Sequence, residues 1–173
     1  MKNLFLTFLL FFSGITILQA QTNNITSSNP FPALNVLTTW AAYNSQIKFD
    51  LEIRNLGFKF EEKVAGTAAT SYTYVRKTTV SEINYTDRIV YKIANDNSAS
   101  IISLVTASTD LVSFYTPQLQ YYKSAKCQNE MAKDTKTTCS CYESANFSVD
   151  LCDERVKLTM GDGNKYFLSI SKK

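Results

Sequence analysis

Apolar and polar positions along the chain fall into three regimes. Leu4 to Leu18 is a nearly unbroken apolar run containing Phe5, Phe8, Phe11 and Phe12. Thr22 to Pro32 is polar and aperiodic, broken by Asn29-Pro30 and Phe31-Pro32, so residues 21–33 read as a polar linker. From Leu34 onward short alternating runs predict strands, and two stretches keep helical spacing instead.

In the first half, Ser45 can cap a helix over 46–56 with Ile47, Phe49, Leu51, Ile53 and Leu56 as its apolar positions. Gly57 stands where a left-handed C-terminal residue belongs. Phe58-Lys59-Phe60-Glu61 and Tyr72-Thr73-Tyr74-Val75-Arg76 alternate, and Arg88 to Ile93 and Ser100 to Thr106 complete four strands. In the second half, Asp110 to Ala125 carries Val112, Tyr115, Leu119 and Tyr122 at helical spacing, with Pro117 as a kink or a fresh helix start. Strands are expected near 126–131, 137–143, 147–152, 155–160 and 165–171, and Asp162-Gly163 reads as a hairpin turn.

A shift of 67 residues lays one half on the other. Tyr72 and Tyr74 then meet Cys139 and Cys141, Arg88-Ile89 meets Arg155-Val156, and Asn95-Asp96-Asn97 meets Asp162-Gly163-Asn164. The expected fold class is α+β: two tandem helix-plus-antiparallel-meander units forming one compact domain. Residues 34–106 make the first repeat and 107–173 the second. This arrangement is similar, in architecture, to the β-lactamase-inhibitor-protein fold. It also resembles small exported proteins of Bacteroidota, whose signals often end just before a Gln, as Ala20-Gln21 does. The resemblance covers residues 34–173 as a pattern of elements and carries over no functional residue.

Four cysteines, Cys127, Cys139, Cys141 and Cys152, are even in number and spaced unlike the paired C-x-x-C knuckles of zinc sites. They read as two disulfides, for which three connectivities exist. Hairpin turns centred near 133–134 and at Ala145-Asn146 favour Cys127–Cys139 and Cys141–Cys152. Disulfides need an oxidising compartment, and the N-terminus suggests one. Lys2, the Leu4–Leu18 run and the small-residue end Leu18-Gln19-Ala20 read as a signal peptide over 1–20, cleaved after Ala20. The run of about fifteen apolar residues is shorter than the roughly 20 that span a bilayer. A secreted or periplasmic protein with no membrane span after cleavage is expected.

Candidate chemistry is sparse. The chain has no histidine, which removes the commonest general base and metal ligand. Glu61-Glu62 and Asp153-Glu154 are adjacent, so in a regular strand their side chains point to opposite faces. Ser45-Gln46-Ile47-Lys48 has the spacing of a serine–lysine motif but fits a helix cap better. Asp162-Gly163-Asn164 lacks the six to eight oxygens of a calcium loop. No enzyme activity and no cofactor or metal are expected.

The remaining feature is cationic. If Phe58, Phe60, Tyr72, Tyr74, Ile89, Tyr91 and Ile93 face the helices, then Lys59, Lys77, Arg88 and Lys92 face outward, joined by Lys126, Arg155 and Lys157. The net charge of +3 is too small for a nucleic-acid binder. The expected function is therefore an exported, non-enzymatic binding or inhibitor-type module. It would meet another protein, possibly an acidic one, through a basic, tyrosine-bearing sheet face. The alternative is a secreted carrier of small hydrophobic ligands, a lipocalin-like barrel. The G-x-W of that family is absent, with Thr38-Thr39-Trp40 in its place.

Overall fold

Leu34, Leu37, Trp40 and Ala41 recur at three- and four-residue spacing and form the buried side of α1 (Leu34–Tyr43). The sequence reading had no helix there. Asn44 closes it in the left-handed conformation, with φ 46°. In α2 (Gln46–Asn55) the buried positions are Phe49 and Ile53, four apart. Ile47 and Leu51 are 72% and 65% exposed, against the expectation of one apolar side. Residues two apart on a helix do not share a face, so the alternating run could bury only half its members. Ser45 occupies the N-cap position without a side-chain capping bond. Gly57 adopts φ 81°, as its place after the helix predicts. α3 (Asp110–Leu119) runs through Pro117 and ends before Ala125.

The computed structural model describes residues 31–80, 83–127, 137–158 and 161–173. The expected signal peptide, its cleavage site, and most of the strand expected over 126–131 lie outside them. Eight strands are β1 (Lys59–Ala65), β2 (Ala69–Val80), β3 (Ile83–Ala94), β4 (Ser100–Thr106), β5 (Lys123–Ala125), β6 (Thr137–Glu143), β7 (Phe147–Leu158) and β8 (Gly161–Lys172). They form one antiparallel sheet in the order β1-β2-β3-β4-β8-β7-β6-β5. The first half is thus two helices followed by a four-stranded meander, the second one helix followed by another, and the meanders join through their last strands, β4 and β8. The fold is α+β. Among the described residues its sheet is open, with β1 and β5 at opposite edges, and not the closed barrel that the carrier alternative requires.

Two strands expected at 147–152 and 155–160 are one strand, β7. Asp162 and Gly163 pair with Lys157 and Val156 inside the β7–β8 ladder, so they are not the turn. Residues 31–33, read from the sequence as the end of a polar linker, belong to the compact fold. Phe31 is buried in the core with its ring centroid 5.9 Å from that of Phe114, and the Tyr115 hydroxyl donates to Pro32 O at 2.6 Å. Leu34 N donates to Gln118 Oε1 at 2.8 Å, so the start of the compact chain is fastened to α3.

The core lies on one side of the sheet. Its strand members are Tyr74, Ile89, Tyr91, Ile93, Ile102, Leu104, Val149, Leu151, Leu168 and Ile170. The ladders place all of them on the face that packs against the helices. Phe49 is its centre, with ring centroids 5.3 Å from Trp40, 5.3 Å from Tyr74 and 4.5 Å from Tyr91. Beside it the buried Asp87 accepts from Arg76 Nη2 at 2.9 Å and from Thr78 Oγ1 at 3.0 Å. The Arg76 guanidinium lies 4.5 Å from the Phe58 ring centroid and also donates to Leu56 O. Among the described residues no helix is long and apolar enough to cross a membrane.

The disulfides are Cys139–Cys152 and Cys127–Cys141. These replace the expected Cys127–Cys139 and Cys141–Cys152 pairs. The β6–β7 hairpin does centre on Ala145-Asn146, setting Cys141 opposite Asp150. That same register sets Cys139 directly opposite Cys152, with Cα atoms 4.0 Å apart, whereas Cys141 is only a diagonal neighbour. Cys127 leaves the sheet just past Ala125, which pairs with Cys141, and takes the remaining sulfur.

Candidate functional site: the open face of the sheet

Side chains alternate across a strand, so fixing one face by the core fixes the other. Three rows of cross-strand neighbours run over the face away from the helices. The first is Arg88, Val105, Phe167, Cys152 and Cys139 on β3, β4, β8, β7 and β6. The second is Thr73, Val90, Ser103, Ser169, Asp150 and Cys141, in which the Ser103 and Ser169 hydroxyls are 3.1 Å apart. The third is Ser71, Lys92, Ile101, Ser171, Ser148 and Glu143. Val90, Val105, Ile101 and Phe167 are half-buried, so the middle of the face is a shallow apolar band.

Of the predicted cations, Lys59, Lys77, Arg88 and Lys92 stand exposed on this face. They cluster in the first meander. Arg88 Nη2 pairs with Glu61 Oε2 at 3.3 Å. Arg155 is not on this face: it shares the parity of Val149 and Leu151 and pairs with Asn164 on the helix side. The Lys157 side chain lies outside the described residues. Lys126 is exposed just after β5.

The face is also less basic than expected, because Glu143, Asp150 and Glu154 belong to it in the second meander. Lys173 Nζ donates to Glu143 Oε2 at 2.8 Å and holds that carboxyl below the usual carboxylate range. Nor does it carry tyrosines. Tyr72, Tyr74, Tyr85, Tyr91, Tyr142 and Tyr166 all have helix-side parity, so the aromatic ring that the described strands present here is Phe167. Register, rather than tyrosine content, decides this.

The bulge between Phe60 and Glu62 corrects one more expectation. One extra residue in β1 breaks the alternation, so Glu61 and Glu62 do not point to opposite faces. Glu61 meets Arg88, while Glu62 Oε1 accepts from Thr73 Oγ1 at 3.5 Å, and both partners belong to the open face.

Near the β5 edge the face dips into a recess of about 300 Å³ lined by Lys126, Cys141, Glu143, Ser148, Asp150 and Lys173, among others. Both signs of charge line it. All four cysteines are in disulfides, so no thiol is offered. Among the described residues no three His, Cys, Asp or Glu side chains converge as a metal site would require. No protein-family model, curated protein or solved structure matches this chain.

Proposed function

We propose that this chain is an exported, non-catalytic binding module that docks another protein on the open face of its sheet. The observation that carries the reading is the one-sided core. The strands β2, β3, β4, β7 and β8 bury their large side chains toward the helices and leave opposite them a broad face with an apolar centre. Charges of both signs flank that centre: in the first meander Lys59, Lys77, Arg88 and Lys92 outnumber Glu61 and Glu62, and in the second the signs are mixed. A partner of complementary, alternating charge suits it better than a uniformly acidic one. Export rests on Lys2, the Leu4–Leu18 run and Ala20, and agrees with two disulfides in a chain of this size.

The test uses the mature chain, immobilised and exposed to the extracellular fluid of its source. Any retained protein is then purified and titrated against wild type, the open-face variants Phe167→Asp and Lys92→Glu, and the helix-side control Leu51→Thr. The reading expects a partner whose affinity falls about tenfold or more with the open-face variants, is unchanged by the control, and weakens with salt. Equal binding by all variants, or no retained protein, would refute it. Mass spectrometry of the exported chain should find Gln21 at its N-terminus.

A further inference from the structure

A second recess lies at the opposite side of the sheet, where the α1–α2 junction meets the ends of β2 and β3. It encloses about 380 Å³, within the range of roughly 300–1,000 Å³ typical of small-molecule pockets. None of its ten lining residues carries a formal charge. Four are carboxamides, Asn44, Gln46, Asn95 and Asn97, and they are accompanied by Tyr72 and Ile47.

These side chains differ in how far their own fold uses them. Asn95 is committed to its loop, since its Nδ2 donates to Gly66 O and Thr67 O and its Oδ1 accepts from Thr70. Gln46 donates through Nε2 to the Tyr74 hydroxyl, which leaves its amide oxygen available to a ligand. Asn44 donates through Nδ2 to Asn97 O at 2.8 Å, but its Oδ1 is buried without a hydrogen-bond partner. A buried acceptor left unpaired is costly, but this oxygen is shut off from the surface, so Asn44 shapes the recess without offering Oδ1 to a ligand. Ile47, exposed at the rim, offers apolar cover that the core does not need.

Neutral amides that both donate and accept, beside an aromatic ring and an aliphatic rim, match a ligand rich in hydroxyls with apolar C–H faces. We propose that this recess binds an uncharged sugar of one or two rings. Lys63 Nζ stands 5.6 Å from the Tyr72 ring centroid but is not among the lining residues, so an anionic sugar gains no direct ion pair in the pocket. The proposal is independent of the open-face reading, because its residues lie on the helix side of the sheet or in the adjoining loops.

The probes are glucose, galactose, mannose and N-acetylglucosamine with their β-linked disaccharides, and glucuronate as the charged control. Each is titrated into the isotope-labelled mature chain while backbone amide resonances are followed. The expected result is at least one neutral sugar with a Kd of about 1 mM or tighter, with shifts confined to residues 44–47, 70–72 and 93–97. Tyr72→Ala should weaken it about tenfold, and Asn97→Gly, which keeps the left-handed backbone at φ 57°, should weaken it severalfold with the fold intact. No shift with any neutral sugar, shifts elsewhere, or glucuronate binding as tightly as the neutral sugars would overturn the proposal.

Discussion

The two meanders share a topology but are braced on opposite sides of the sheet. In the first, large rings do the work on the helix side: Phe49 from α2 is packed among Trp40, Tyr74 and Tyr91, and the buried Arg76–Asp87 pair sits next to them. In the second, the buried strand members on the helix side are aliphatic, Val149, Leu151, Leu168 and Ile170, with Tyr142, Phe147 and Tyr166 only partly buried beside them, and the cross-links Cys139–Cys152 and Cys127–Cys141 lie on the open face. Burial drives the first by removing apolar surface from water, whereas the disulfides act mainly by restricting the unfolded chain. Both halves cover the same face of the sheet with helices; they differ in where the added bracing lies, and in the second meander it occupies part of the open face.

Emptying the aromatic centre should have the largest effect. Phe49→Ala is expected to cost about 3–5 kcal/mol, and Val149→Ala, its aliphatic counterpart in the second meander, distinctly less. Urea unfolding followed by Trp40 fluorescence measures both. Equal losses would mean that the two halves do not differ in how they use the core.

Next in size is the cross-linking. Replacing Cys139 and Cys152 together by Ser should cost about 2–4 kcal/mol, and so should replacing Cys127 with Cys141. In wild type, partial reduction with differential alkylation, read by fragmentation between Cys139 and Cys141, checks the pairing. A Cys141–Cys152 peptide would contradict the register described above.

How far the sequence could be read follows from the same contrast. The elements were legible wherever periodicity was clean: Ser100–Thr106 and Thr137–Glu143 form strands over the very residues expected. α1 was missed although Leu34, Leu37, Trp40 and Ala41 keep helical spacing, because no capping residue announces it: its N-cap is Ala33, which makes no side-chain bond. The faces were the harder problem. A shift of 67 aligns the two meanders as elements, yet it is odd, and an odd shift exchanges the two faces of every strand. It therefore matched Tyr72 and Tyr74, which face the helices, with Cys139 and Cys141, which do not. The same slip assigned Arg155 to the open face, whereas the sulfur pairs went wrong because turn centres place cross-strand partners only to within about a residue, and the register sets Cys139 opposite Cys152. Tertiary register supplies the one-residue precision that composition cannot.

A smaller effect appears at high pH. Burial, together with the hydrogen bond to Asp50, pushes the Tyr74 hydroxyl up to about 12, and burial raises Tyr91 and Tyr115 as well. An acid whose folded pKa is raised keeps its proton in the folded state after the unfolded chain has lost it. Stability contributed by the neutral phenol is therefore full below about pH 10 and falls as pH rises toward 12. Denaturant midpoints between these limits should drop less steeply in Tyr74→Phe than in wild type. An unchanged slope would show that Tyr74 does not contribute to it.

The smallest effect is expected outside both braces. Ile47→Thr with Leu51→Thr should shift stability by no more than about 0.5 kcal/mol, since both side chains are mostly exposed. A loss comparable to Phe49→Ala would place them in the core.

Residue-resolved hydrogen exchange of the mature chain, with and without reductant, tests the difference in bracing most directly. Reduction should raise exchange first in β6 and β7, which the disulfides cross-link, while β2, β3 and β4 keep their protection over the aromatic core. Uniform loosening of both meanders, or earlier loosening of β2 and β3, would contradict the account.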